Sequence, residues 1–148
     1  MRITDALNLD RISLELPGTN KSEIIGSLLD LIAAPGGVSD REKALESVLE
    51  RESKMSTGIQ HGVAIPHGKT DAVEELLVCF GRKREGIDFQ ALDGEPSYLF
   101  FLTLSPLSTS GPHIELLAEI GRILEEAAVR RKLLSAKDPE EVLDILST

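Results

Sequence analysis

The segment SYLFFLTLS, residues 97–105, is the stretch that decides the fold. Its inner part, YLFFLTL, is almost wholly apolar, and a proline flanks the whole segment on either side. Such a run is typical of a central β-strand that other elements cover on both faces. The sequence therefore predicts a sheet that lies inside the protein, with helical layers above and below it.

Three further segments before this strand are short, rich in β-branched or aromatic residues, and bounded by Gly, Pro or Asp. They are GVAIP (62–66), ELLVCFGR (75–82) and GIDFQ (86–90). The sequence LDGEP (92–96) carries an Asp-Gly turn signal directly before the central strand. The middle of the chain is therefore predicted to form most of the sheet.

Two helices are predicted before these strands. In the first, Asn20 or Thr19 caps the start, and Pro35 with the glycines after it ends the helix. Its apolar positions recur at helical spacing: Ile24, Ile25, Leu28, Leu29 and Ile32. The second begins with a Ser39/Glu42 capping box. Its predicted buried stripe is Ala44, Leu45, Val48 and Leu49, and Arg51 falls near its end.

Helices are predicted again after the central strand. One follows Pro112, with a predicted apolar stripe of Ile114, Leu117, Ala118, Gly121 and Leu124. The last has Asp138 as its cap, Pro139 at its first position and Glu141 closing the capping box. We therefore predict an α/β fold, a sandwich with a mixed β-sheet flanked by helices on both faces, in a single domain spanning residues 1–148.

Composition excludes several function classes. The net charge of -9 and the aromatic fraction of 3% argue against non-specific nucleic-acid binding. A single cysteine, Cys79, allows neither an internal disulfide nor a cysteine-based zinc site. No apolar run approaches the roughly 20 residues that span a bilayer, and the first residues do not resemble a signal peptide. We therefore expect a cytoplasmic protein without membrane insertion.

The three histidines are the candidate reactive groups. His61 and His67 lie in GIQHGVAIPHGKT (58–70), and Pro66 predicts that the strand ends there, leaving His67 at its C-terminal tip. His113 follows Pro112 at a helix start, where the positive end of the helix favours a neutral imidazole and a nearby anion.

The residues alone leave three interpretations open. The histidines are unrelated surface residues, or they bind zinc, or one of them is a phosphorylatable nucleophile. In the third case a cation is needed for the phosphoryl charge, and Arg51, Lys54 or Lys69 could supply it.

Longer segments resemble a known family. RESKMSTGIQHGVAIPHGKT, GIDFQALDGEP, LFFLTLSP and HIELLAEIGRIL are similar to the enzyme IIA domain of the fructose–mannitol type, from the bacterial phosphoenolpyruvate-dependent phosphotransferase system. The resemblance runs from about residue 4 to the end. It implies that His67 is the phosphoryl acceptor, that His113 stabilises the phosphoryl group, and that Arg51 neutralises its charge. His61 is then a neighbour on the rim.

The resemblance also implies partners and chemistry. His67 would attack the phosphohistidine of an HPr-type carrier, through Nε2, in a transfer that needs no metal or other cofactor. The group would then pass to an enzyme IIB, or its presence would be read by a regulated target protein. The N-terminal region and S-T-G-I favour the nitrogen-regulatory branch over sugar uptake.

Two further predictions complete this interpretation. An apolar surround of Ile59, Val63, Ile65 and Leu107 is expected around a recessed His67. The alternative from another functional class is a regulatory module that binds its target independently of phosphate.

Overall fold

The computed structural model describes residues 2–147, so Met1 and Thr148 of the predicted 1–148 domain lie outside the described residues. Five α-helices are found in this part of the chain: α1 (Lys21–Ala33), α2 (Arg41–Lys54), α3 (Ser110–Leu124), α4 (Ala127–Ser135) and α5 (Pro139–Leu146). The strands are β1 (Ile12–Ser13), β2 (Val63–Ala64), β3 (His67–Lys69), β4 (Leu77–Ile87) and β5 (Ser97–Ser105). Two short 3₁₀ helices, Ile3–Asp5 and Leu9–Arg11, precede β1.

The sheet is mixed, as predicted. Its order is β1-β4-β5-β2, and β3 also pairs with β5. β4 and β5 are antiparallel, whereas β1, β2 and β3 each run parallel to the strand they pair with. The predicted central strand is confirmed over residues 97–105. The segment GIDFQ is not a separate strand, because β4 continues without interruption to Ile87.

Two hydrophobic cores cover the two faces of the sheet, which confirms the predicted sandwich. Phe100, Leu102 and Leu104 of β5 pack against α1 and α2. Phe101 and Leu99 face the other way, toward α3, α4 and α5. Because successive side chains of a strand point to opposite faces, an apolar run such as 97–105 can serve both cores at once.

The predicted cap of α2 is wrong. Asp40, rather than Ser39, caps α2, and its Oδ1 accepts a hydrogen bond from the Lys43 N–H at 3.1 Å. The Ser39 hydroxyl instead donates to the carbonyl of Ala72 at 3.1 Å. A serine next to an aspartate leaves two possible caps, and the contact with a distant segment selects between them. The predicted caps of α1 and α5 are confirmed at Asn20 and Asp138.

The predicted apolar stripe of α3 lies mostly on the wrong face. The residues of α3 that are buried are His113, Leu116, Ile120, Ile123 and Leu124, whereas Ile114 is 65% exposed. This helix has apolar residues on both sides, so spacing alone allows two stripes, and packing on the sheet selects the one that contains His113. In α2, similarly, Leu49 is 39% exposed and the charged Glu52 is buried.

None of the helices formed by residues 2–147 is both long enough and apolar enough to cross a membrane.

Candidate functional site

His67, His113 and Arg51, the three site residues predicted from sequence, line one open cleft of about 460 Å³. They come from three elements: His67 from β3, His113 from α3 and Arg51 from the last turn of α2. The cleft lies at the edge of the sheet, where β3 pairs with the C-terminal half of β5. The rest of its lining is Ser47, Glu50, Lys54, Gly68, Lys69, Ile114 and Leu117.

His67 begins a strand rather than ending one, so the prediction that it sits at a strand tip is wrong. β2 ends at Ala64, and pairing with β5 resumes at His67, which lies opposite Thr103. Pro66 has no N–H to donate. Its carbonyl still accepts a hydrogen bond from the Thr103 N–H at 3.2 Å. The proline therefore interrupts the strand without separating it from β5.

The backbone fixes the tautomer of His67. Nδ1 of His67 lies 2.9 Å from the carbonyl oxygen of Ile65. A carbonyl can only accept, so Nδ1 carries the proton and Nε2 keeps its lone pair. Burial lowers the pKa of His67 below 6.5, although the Ile65 carbonyl opposes this, and the charge of Arg51 lowers the pKa further. At neutral pH His67 is therefore an uncharged ring with a nucleophilic Nε2.

His113 is also neutral, but it is more deeply placed. The helix begins at Ser110, three residues earlier than predicted, and the His113 side chain is buried rather than at the surface. Burial, then the neighbouring His67 and Lys69, lower the pKa of His113 to about 4. The two rings meet edge to face, with centroids 5.7 Å apart. Nε2 of His113 lies 2.8 Å from the hydroxyl oxygen of Thr103.

A glycine brings α2 close enough for Arg51 to reach the cleft. A Cβ on Gly68 would lie 2.4 Å from the Ser47 hydroxyl and 3.0 Å from the backbone nitrogen of Val48. The backbone of β3 therefore packs directly on α2. Arg51 lies one helical turn after Ser47 and donates through Nη1 to the carbonyl of Met55 at 2.8 Å.

The cleft is positively charged on a chain whose net charge is -9. Its lining includes the cations Arg51, Lys54 and Lys69, against the single carboxylate of Glu50. Lys69 donates through Nζ to the hydroxyl of Ser110, in the first turn of α3. Two neutral imidazoles among three cations form an environment that favours an anion such as a phosphoryl group.

An apolar cleft of about 220 Å³ adjoins the first and shares Arg51, His67 and Leu117 with it. The predicted apolar surround is found here only in part. Ile59 and Ile65 line this cleft, whereas Val63 is 2% exposed and belongs to the core, and Leu107 is 62% exposed. Two apolar residues of this cleft that sequence reasoning missed are Met55 and Leu92, which lie at a helix end and in a loop and carry no periodic signal.

His61 lies outside the cleft that contains His67. It is exposed, has a left-handed backbone with φ of 60°, and lines a separate groove of about 370 Å³ that also includes Arg122 and Glu125. Within residues 2–147, no three His, Cys, Asp or Glu side chains come together in a group that could hold a metal ion.

Two residues at the site were not singled out from the sequence. Thr103 is the one polar residue inside the apolar part of β5, and this interruption is a signal that could have identified it. Glu52 lies on α2, where a buried carboxylate has no distinctive pattern. It accepts from the Thr57 N–H and hydroxyl at 2.8 and 2.6 Å, and it pairs with Lys21 at 2.9 Å.

Fold and site together define a small α/β domain with two facing neutral histidines and an arginine at its sheet edge. The family model described as "Phosphoenolpyruvate-dependent sugar phosphotransferase system, EIIA 2" matches residues 5–148. The chain therefore belongs to this family of phosphotransfer proteins, as the sequence motifs predicted.

Relatives of two kinds match the chain over nearly its whole length. It is 44% identical over 139 residues to the PTS system fructose-specific EIIA component of Haloferax volcanii, covering 94% of this chain and 90% of that protein. The crystal structure of the nitrogen regulatory protein IIA-Ntr from Neisseria meningitidis matches with a TM-score of 0.91 and 31% identity, over 97% of this chain and 98% of that one.

A second solved structure shares the fold. The complex of enzyme IIAMTL and phosphorylated enzyme IIBMTL from Escherichia coli contains a chain that matches with a TM-score of 0.81. The identity is 23%, and the match covers 95% of this chain and 98% of that chain.

Proposed function

We propose that this chain is a phosphoryl carrier in which Nε2 of His67 accepts the phosphoryl group of a phosphohistidine on an HPr-type protein. A new N–P bond forms at Nε2 while the donor's N–P bond breaks, and the electron pair of the broken bond leaves with the donor ring. His67 needs no base, because its lone pair is already available and its proton stays on Nδ1. The observation that carries this proposal is the 2.9 Å contact between Nδ1 of His67 and the carbonyl oxygen of Ile65, from which the tautomer follows.

The neighbouring groups support the transfer electrostatically. Arg51 neutralises the charge of the phosphoryl oxygens as the group passes from the donor histidine to His67. His113 contributes a hydrogen bond without a second charge, because its pKa of about 4 leaves it neutral. Phosphoryl transfer depends mostly on positioning and on charge stabilisation, and this set of residues provides both without a metal ion.

The surface around the cleft fits a protein donor. Large apolar side chains near His67 are exposed: Ile59 by 38%, Met55 by 58%, Leu92 by 63% and Ile114 by 65%. Apolar residues around a recessed reactive group, with charges at the rim, are typical of a docking surface. We infer that an HPr-type carrier docks here in the cytoplasm and that an enzyme IIB or a regulated target uses the same face afterwards.

Two downstream roles remain as proposals. The nitrogen-regulatory branch, which the sequence favoured, is supported by the TM-score of 0.91 with IIA-Ntr. Donation to an enzyme IIB of a fructose-type uptake system is supported by the 44% identity to a fructose-specific EIIA component. Both roles begin with the same phosphorylation of His67.

The decisive experiment incubates the purified protein with labelled phosphoenolpyruvate, enzyme I and HPr. We expect one acid-labile phosphate per chain, located on His67 by mass spectrometry. His67→Gln should take up none, and the matched variant His61→Gln should take up as much as the wild type. Labelling of His67→Gln, or an acid-stable phosphate, would contradict the proposal.

A second step separates the downstream roles. The phosphorylated protein is mixed with a fructose-type enzyme IIB. The experiment then measures how fast labelled phosphate moves from His67 to the cysteine of enzyme IIB. Rapid transfer favours sugar uptake. If the label stays on His67, and a target protein binds the phosphorylated and unphosphorylated forms differently, regulation is favoured. Target binding that is the same with and without phosphate would favour the phosphate-independent module instead.

A further inference from the structure

Thr103 occupies an unusual position between the two histidines. It is fully buried, with 0% of its surface exposed, and it is the β5 residue that pairs directly with His67. Its hydroxyl oxygen lies 2.8 Å from Nε2 of His113. Thr103 is therefore connected to both histidines. It is the cross-strand neighbour of His67, and it forms a hydrogen bond with His113.

The direction of this hydrogen bond follows from counting protons. A neutral imidazole has one N–H, and a hydroxyl has one O–H. If Nε2–H of His113 donated to Thr103, the hydroxyl proton would have no acceptor among residues 2–147, because His113 is the side-chain partner found for this hydroxyl there. An unsatisfied buried polar group costs about 1–3 kcal/mol. The arrangement in which Thr103 donates to Nε2 satisfies both groups.

We propose that Thr103 is a positioning residue that holds His113 in the tautomer with its proton on Nδ1. This inference rests on the proposed function, because the purpose of the tautomer is to present an N–H donor to the phosphoryl group on His67. The opposite tautomer would leave a lone pair on the free nitrogen in the cleft, which repels phosphoryl oxygens. Thr103 acts through His113 and does not touch the reacting atoms.

A hydroxyl is a suitable partner for this task. A carboxylate at the same place would stabilise an imidazolium and would add a negative charge close to the transferred anion. The threonine hydroxyl fixes the tautomer and leaves the ring neutral. A neutral donor holds the phosphoryl group less strongly than a second cation would, which suits a carrier that must also release it.

The test uses the full chain with ¹⁵N-labelled histidine. In NMR spectra of the unphosphorylated wild type at pH 7, we expect the His113 proton on Nδ1, since protonated and unprotonated ring nitrogens have well-separated shifts. Thr103→Val should shift His113 toward the Nε2–H tautomer that free histidine prefers, and Thr103→Ser should restore Nδ1–H. Ser97→Ala is the matched control, because it removes another buried hydroxyl of β5 that has no hydrogen-bond partner among the described residues.

Rates of phosphoryl uptake from HPr complete the test. Thr103→Val should slow uptake about tenfold, with recovery in Thr103→Ser and no change in Ser97→Ala. If the valine variant does not fold, Thr103→Ala replaces it, and the wild-type spectrum decides the tautomer in any case. A wild-type proton on Nε2, or an unchanged tautomer and rate without the hydroxyl, overturns the proposal.

Failure of the proposed function gives a different result. In that case wild-type His67 takes up no phosphate, so the purpose assigned to the N–H donor is overturned, while the spectra still show which nitrogen carries the proton.

Discussion

His67 and His61 are six positions apart in the same motif, yet they lie in different clefts and in different physical states. His67 is half-buried, its Nδ1 is bonded to a backbone carbonyl, and cations surround it. His61 is exposed on a left-handed turn, and its groove contains Arg122 together with the carboxylate of Glu125. Both clefts therefore hold an imidazole and an arginine.

The contrast between the two clefts shows that residue types alone do not define their properties. Near His67, the backbone fixes which nitrogen is free, burial keeps the ring neutral, and the close approach of α2 brings Arg51 into a cleft whose three cations outnumber its single carboxylate, Glu50. The groove of His61 has none of these three features among the residues that line it. The contacts that sheet pairing and helix packing impose on His67 therefore give it a physical state that differs from that of His61.

The largest expected effect comes from removing the arginine of each cleft in turn. Arg51→Gln should slow phosphoryl transfer to His67 about 10³-fold, a loss of about 4 kcal/mol of transition-state stabilisation. Arg122→Gln, the matched change in the other groove, should leave the rate within a factor of two. Single-turnover kinetics with phosphorylated HPr measures both. Equal rates for Arg51→Gln and the wild type would mean that another cation, Lys54 or Lys69, neutralises the charge.

His113, the buried histidine of the His67 cleft, should make the free energy of unfolding sensitive to acid. His113 has a pKa of about 4 when folded and about 6.5 when unfolded, so the unfolded chain binds more protons between these values. The contribution of His113 to the free energy of unfolding is therefore constant above pH 6.5, falls as the pH drops toward 4, and is constant again below pH 4. The loss is on the order of 3 kcal/mol.

Urea unfolding of the wild type and of His113→Gln at several pH values isolates this term. The difference between the two free energies of unfolding should move against the wild type as the pH falls from 7 to 4. A difference that stays constant over this range would show that the pKa of His113 is the same in the folded and the unfolded chain.

The parts of the molecule that sequence reasoning predicted well are those that depend on local pattern. The β5 strand, 97–105, is apolar on both faces, and no other element type competes for it. The cap at Asp138 has a single well-placed side chain, and the cap at Asn20 was one of two adjacent candidates, Thr19 and Asn20. His67, His113 and Arg51 were identified as a group through motif resemblance. The resemblance indicates that the fold brings them together, although no local pattern in the sequence predicts that contact.

The wrong predictions concern features that depend on tertiary packing rather than on local sequence. Both sides of α3 are apolar, and contact with the sheet decides that Ile120 is buried and Ile114 open. His67 begins a strand because β5 offers a partner beyond Pro66. Thr103 contacts His113 because the fold brings this histidine, ten residues later in the chain, within reach of its hydroxyl. None of these contacts leaves a periodic trace in the sequence.

The two clefts should also respond differently to an added methyl group. Gly68→Ala places a Cβ against the backbone of α2, where Val48 cannot move away, and should destabilise the fold by about 2 kcal/mol. Transfer should slow as well, because α2 carries Arg51. Gly121→Ala, in α3 beside His61, meets nothing within 4 Å and should stabilise the protein by about 1 kcal/mol. Thermal unfolding compares the two, and a neutral Gly68→Ala would show that α2 can shift freely on β3.

The smallest effect is expected at His61 itself. Its φ of 60° is a conformation that asparagine tolerates better than histidine. His61→Asn should therefore raise the free energy of unfolding by about 0.5 kcal/mol, whereas His61→Val, which is β-branched, should lower it. Phosphate uptake on His67 should be the same in both variants and in the wild type. A slower uptake in His61→Asn would mean that this turn takes part in docking the donor, and the two clefts would then have to be treated as one surface.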